Sequence, residues 1–237
     1  MKKNIMFIGG LVILSILLCI SIIFNISHNR SKELLLPKPE LAEGIRGEQY
    51  GIDKNINEAT IDDYLNLPNV VYRDVRPLED VAPWEEKGGD RFISAFIPGF
   101  EVVPYIYLSG FSKKYLEEKK EEGVEGLYQG ETLFTHNEDG TYTANYEESM
   151  EILEYLFPKD KTIFIICGAG GYAGLTKNLL VSLGWNKDKI YNIGGYWFYD
   201  GKNSEPIKRT IDGKDYYDFW KLNYHNIDFE NLRKIHE

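Results

Sequence analysis

The sequence predicts an α/β fold: an open parallel sheet flanked by helices on both faces, preceded by one N-terminal transmembrane helix. Three observations carry this. Short β-branched runs alternate with amphipathic segments along most of the chain. Two of those runs, KTIFII and KIYNI, are largely apolar, as strands buried on both faces are. Residues 5–26 form an apolar stretch in which only Ser15, Ser21 and Asn25 are polar. At ~1.5 Å per helical residue, such a stretch crosses a ~30 Å hydrocarbon core.

Lys2 and Lys3 precede that stretch, which predicts an N-terminus inside and a domain outside the cell membrane. Residues 1–28 are read as an uncleaved signal anchor. A cleaved signal peptide lacks a convincing small-x-small site. Lipidation at Cys19 would need small residues before it, where Leu17 and Leu18 stand. Cys19 is read as one more apolar residue of the span. Residues 29–50 are a polar tether broken by Pro37, Pro39, Gly44 and Gly47. The domain proper then runs over 51–237, with enough apolar material for one core.

Within the domain, residues 61–67 predict a short helix with Thr60 as its N-cap. Residues 70–75 (VVYRDV) and 92–97 (FISAFI) predict strands, the second stopped by Pro98-Gly99. Residues 112–122 predict a charged, exposed helix. Residues 128–146 predict a hairpin turning at Asp139-Gly140. Residues 147–157 carry apolar side chains at helical spacing. The strand over 161–166 ends at Cys167. A helix follows over 174–184, with Gly184 as its stop, and then a strand over 189–193 closed by Gly194-Gly195. The remainder shows a second turn at Asp212-Gly213 and a short final helix.

Composition narrows the function. Net charge is −10, and setting aside the first thirty residues, which hold Lys2, Lys3 and Arg30 and no acid, makes it −13. An acidic domain repels phosphate backbones, so no nucleic-acid partner is expected. Of the two cysteines, one lies in the apolar N-terminal run, so Cys167 has no soluble partner for a disulfide. His28, His136, His225 and His236 lack metal-ligand spacing. No metal or other cofactor is expected.

The segment TIFIICGAGGYAGLTKNLL reads as buried strand, cysteine, glycine-rich turn and helix. Glycines at 168, 170 and 171 let backbone N–H groups crowd together. The helix that follows directs its unpaired N–H groups and positive dipole end at the strand terminus. A thiol there meets an anion site, which favours the nucleophilic thiolate. Strand ends are also where ligands bind in open α/β sheets. Cys167 is therefore the candidate catalytic residue. Gly168, Ala169, Gly170, Gly171, Tyr172 and Ala173 are the candidate substrate-binding residues. Tyr196 and Trp197 are further candidates for lining the pocket.

This segment resembles the active-site loop of rhodanese-like sulfurtransferases, with Gly170 three residues after the cysteine. Three other marks appear in the order that family shows. Tyr72-Arg73-Asp74-Val75-Arg76-Pro77 resembles its strand ending in Asp-x-Arg. The stretch from Arg91 to Pro98 resembles its Gly-His-Ile-x-Gly-Ala-x-x-Ile-Pro segment, with Phe92 in place of the histidine. The stretch from Lys189 to Trp197 resembles its strand ending in Gly-Gly and a bulky residue. The resemblance spans roughly residues 56–199. It implies a rhodanese-like sheet and a persulfide formed on Cys167. It also implies a small sulfur-containing anion or persulfide as donor, and a thiol acceptor, a protein among the candidates. Asp74 and Arg76 would brace the loop as structural support.

The sequence departs from the family where many members carry Arg or Lys beside the cysteine or at the loop's end. Gly168 and Tyr172 stand there. Backbone amides would have to hold an anion alone. A non-catalytic binding or sensing module at the cell surface is the alternative. Cysteine-based phosphatase or arsenate reductase chemistry needs an Arg closing the loop, and ranks last.

Overall fold

Four strands that all run the same way form the main sheet of the computed structural model. They are β1 (Val70–Asp74), β3 (Glu101–Val102), β6 (Thr162–Cys167) and β7 (Ile190–Gly195), in the order β3-β1-β6-β7. The structure describes residues 36–43, 51–77, 93–123, 128–217 and 221–235. The anchor segment with Cys19, most of the tether, and Trp84, Arg91, Phe92 and Trp220 lie outside the described residues. Among the described residues no helix is long and apolar enough to cross a membrane. The elements below all belong to one unit, residues 38–237.

The chain leaves β1 for β3 on one side, then returns past β1 to place β6 and β7 on the other. The progression thus reverses between β1 and β6. In open α/β sheets the carboxyl ends of strands flanking such a reversal enclose the binding crevice. Asp74 ends β1 and Cys167 ends β6.

Alternation along the strands sorts the two faces. On one face, Val71, Ile163, Ile165 and Ile190 pack in a single cluster with Leu153, Leu156, Leu179 and Leu180. Those leucines belong to α3 (Ser149–Leu156) and α4 (Gly171–Ser182). Arg73 shares this face and remains satisfied, because its Nε donates to the Leu156 carbonyl at 2.7 Å and Nη1 pairs with Glu101 at 2.9 Å. The other face carries rings. Phe164 meets Tyr72 and Tyr191 edge-on, at centroid separations of 5.5 and 5.1 Å, and Tyr72 meets Phe100 at 5.3 Å. The Tyr72 hydroxyl donates to the Tyr64 carbonyl at 2.6 Å and accepts from the Leu67 amide at 2.9 Å. It thereby pins the segment beside the 3-10 turn Ile61–Tyr64 to that face.

Several expectations need correction. The helix over 61–67 is one 3-10 turn; Thr60 holds its N-cap position, but its hydroxyl accepts from the Asn57 amide and makes no capping hydrogen bond. Of the strand expected over 92–97, the described residues 93–97 form only β2 (Ala95–Phe96), which pairs antiparallel with β8 (Glu205–Pro206), outside the main sheet. The sheet takes Glu101–Val102 in its place. Helix α4 starts three residues earlier than expected, at Gly171, so the end of the glycine loop is helical. Other expectations hold within a residue or two. These are the helix α3 and the exposed helix α2 (Lys113–Glu121), capped by Ser112; the hairpin expected over 128–146 forms with its turn in place but is shorter, from β4 (Phe134–His136) to β5 (Tyr142–Ala144). A four-residue helix, α1 (Tyr105–Leu108), and a hairpin of β9 (Lys208–Ile211) and β10 (Lys214–Tyr217) complete the regular structure named here.

The ring cluster on the second face predicts a large effect at its centre. Phe164→Ala should cost about 3–5 kcal/mol in urea unfolding. A loss under about 1 kcal/mol would contradict this packing.

Candidate functional site

Cys167 is the last residue of the central strand β6 and is 2% exposed. The chain then turns sharply, because Gly170 adopts φ +99°, a left-handed conformation suited to glycine. That turn swings the Gly170 amide back over the strand end, where it donates to Cys167 Sγ at 3.0 Å. Helix α4 begins at the next residue, so Ala173 lies in its first turn, and the amides of Ala173 and Ala169 also favour negative charge on the sulfur. One backbone hydrogen bond and two further amides of the same segment thus act on one atom.

The neighbouring strand holds this loop in place. Asn192, fully buried in β7, donates from Nδ2 to the Gly170 carbonyl at 3.1 Å. Its Oδ1 accepts from the Gly194 amide at 2.9 Å. One side chain therefore ties the loop to the end of β7. Gly195 lies so close that a Cβ there would collide with the Gly168 carbonyl and with Ala169 Cα. The Trp197 amide donates to the Gly168 carbonyl at 3.0 Å, and a Cβ at Gly168 would stand 2.7 Å from the indole. Glu58 accepts from the Gly195 amide at 3.1 Å. Sequence reading missed Asn192 and Glu58. The signal at Asn192 was available: a lone polar residue inside a buried apolar strand needs internal partners.

Asp74 and Arg76 form a buried pair at the end of β1. Arg76 Nε lies 3.0 and 2.9 Å from the two Asp74 oxygens, and Nη2 also donates to the Ala95 carbonyl at 3.0 Å. The guanidinium sits 4.5 Å from the centre of the Tyr196 ring. With its side chain fully buried in these contacts, Arg76 braces the strand end. Tyr172 turns its ring onto Tyr105, stacked at 5.4 Å.

A cavity of about 650 Å³ opens over the loop. Cys167, Gly168, Ala169, Gly171 and Tyr172 line it, together with Trp197. Gly170, Ala173 and Tyr196 do not line it. Ligand cavities commonly measure about 300–1,000 Å³. Among the described residues no cluster of His, Cys, Asp or Glu is placed to hold a metal ion.

The electrostatics differ from the expectation. Burial pushes the Cys167 thiol up, the amides of Ala173, Gly170 and Ala169 pull it down, and the Asp74 carboxylate adds to the rise. The net direction is upward, so desolvation outweighs the helix N-terminus. The loop amides favour the thiolate, and burial opposes them more strongly.

Comparison of the chain with protein-family models, with curated proteins and with solved structures finds no match.

Two outcomes follow from this geometry. Thiolate is the reactive form, so a raised pKa moves reactivity to alkaline pH. Alkylation of Cys167 in the folded protein should rise with pH and reach its midpoint above the free-thiol value of about 8.5. A midpoint at or below that value would overturn the burial argument. Gly195→Ala should force the loop away from β7, lowering stability by about 1–3 kcal/mol and speeding alkylation of Cys167. Unchanged stability and labelling would show that the close approach does not constrain the loop.

Proposed function

We propose that this protein is a rhodanese-like sulfurtransferase, tethered to the cell membrane by its N-terminal segment with the domain outside. Cys167 takes a sulfane sulfur from a small sulfur-containing anion or persulfide and passes it to a thiol acceptor. The observation that carries this reading is the Gly170 amide donating to Cys167 Sγ at 3.0 Å, with the Ala169 and Ala173 amides also favouring charge there, beside a cavity of ligand size. The location supports it as well, since the sulfur sits at the carboxyl ends of strands flanking the sheet's reversal point. So does the sequence resemblance over the four marks.

The chemistry balances without an external oxidant or reductant. Cys167 sulfur attacks the outer, sulfane sulfur of the donor. The new S–S bond to Cys167 forms as the donor's own bond to that sulfur breaks. The leaving group departs with the electron pair and takes the proton that Cys167 gives up. An acceptor thiol then attacks the outer sulfur of the Cys167 persulfide, releasing Cys167 as a thiol again. An added sulfur extends about 2 Å from Sγ. The amides stabilise charge on sulfur without the Arg or Lys that many rhodanese-like loops carry.

A binding or sensing module is the second reading, and the protonated resting thiol favours it. One experiment separates the two. Full-length protein in detergent is incubated with thiosulfate, and separately with organic persulfides. The sulfurtransferase reading expects the mass of one extra sulfur on Cys167, removable by excess thiol and absent from Cys167→Ala. No adduct with any donor would sink catalysis and leave the binding reading.

A further inference from the structure

The cavity over Cys167 is far larger than an inorganic sulfur anion needs, and a lysine stands at its far end. Helix α4 forms one wall, with Gly171, Gly174 and Lys177 all lining the cavity. Six residues separate Gly171 from Lys177, which is about 9 Å along the helix axis. Lys177 is half-buried, and among the described residues its ammonium makes no hydrogen bond or ion pair. Asp53 and Asp188 act on it only as more distant charges, and burial lowers its pKa. A half-buried ammonium without a paired anion is a costly arrangement unless a ligand completes it. Lys119 of α2, which already pairs with Glu122, also lines the cavity, with Tyr115 one turn before it. Trp197, half exposed, forms an aromatic shelf beside the cysteine. Near the sulfur the lining is glycine, Trp197 and an Arg76 committed to Asp74, and the lysines stand as further cations of the same cavity.

Resting on the sulfurtransferase reading, we infer that the donor is an organic persulfide that carries a carboxylate, with its sulfur at Cys167 and its carboxylate on Lys177. The transfer is R–S–SH plus Cys167 thiol giving R–SH plus Cys167 persulfide. The donor's S–S bond breaks, the Cys167 S–S bond forms, and the departing thiolate takes up the Cys167 proton. Glycine at 171 and 174 leaves the wall flat for the donor's chain. Charge at the far end selects among persulfides and does not touch the reacting atoms.

The test measures the rate of Cys167 persulfide formation in full-length protein with three donors: glutathione persulfide, the uncharged persulfide of 2-mercaptoethanol, and thiosulfate. Glutathione persulfide should load Cys167 at least about tenfold faster than thiosulfate. Lys177→Glu should cut the ratio of glutathione persulfide to 2-mercaptoethanol persulfide rates about tenfold, equivalent to about 1.4 kcal/mol. Lys177→Gln should move the ratio in the same direction by less, and serves if the charge reversal does not fold. Thiosulfate loading as fast as glutathione persulfide, or a ratio unmoved by either variant, overturns this inference and leaves the sulfurtransferase reading standing. Loading by none of the three donors overturns both.

Discussion

The loop around Cys167 keeps its shape because two backbone segments approach more closely than side chains allow. Gly195 lies against the Gly168 carbonyl and Ala169, and nothing larger than hydrogen fits between them. Asn192 bridges the Gly170 carbonyl and the Gly194 amide, so the end of β7 acts as a template for the turn after β6. Everything proposed for the site depends on that contact. It sets the direction of the Gly170 amide, and through Gly170 the entry of α4. It also sets the place of Trp197 over Gly168.

Within that frame, two opposing effects act on one sulfur. Donors aimed at Sγ favour negative charge, as a helix N-terminus does. Removal from water disfavours it, and the nearby Asp74 carboxylate adds to the cost. At 2% exposure desolvation wins. The Asp74–Arg76 pair shows why Asp74 stands there despite this cost: its carboxylate is committed to Arg76, which also binds the Ala95 carbonyl and so links the end of β1 to β2. A cysteine held as a thiol until a donor arrives is protected from oxidation to sulfenic acid, which follows thiolate character and exposure.

Much of this was legible in the sequence, and the parts that were not share a cause. Strands β1, β6 and β7 were read within a residue or so, because continuous β-branched runs have few alternatives. Cys167 was placed at a strand-to-helix junction because the glycines begin where the apolar run ends. Strand β3 was invisible, since two residues between Pro98-Gly99 and Pro104 carry no periodicity. The run FISAFI reads as a core strand by composition, yet tertiary pairing puts Ala95–Phe96 against Glu205–Pro206. The early start of α4 was hidden by Gly171 and Gly174, which are poor helix formers in isolation. The direction of the thiol shift was missed because burial depth is a property of the whole fold, while the amide donors are local. Lys177 carries no signal in the sequence, because the cavity beside it is made by segments distant along the chain.

The measurement that reaches the central claim most directly is a pH titration of backbone amide shifts by NMR in the full-length protein, with Cys167→Ala as reference. If the Ala169, Gly170 and Ala173 amides act on the sulfur, their signals should shift together with one alkaline midpoint, and that shared transition should vanish when the sulfur is removed. Signals that move independently of one another, or that titrate unchanged in Cys167→Ala, would contradict the action of these amides on Cys167.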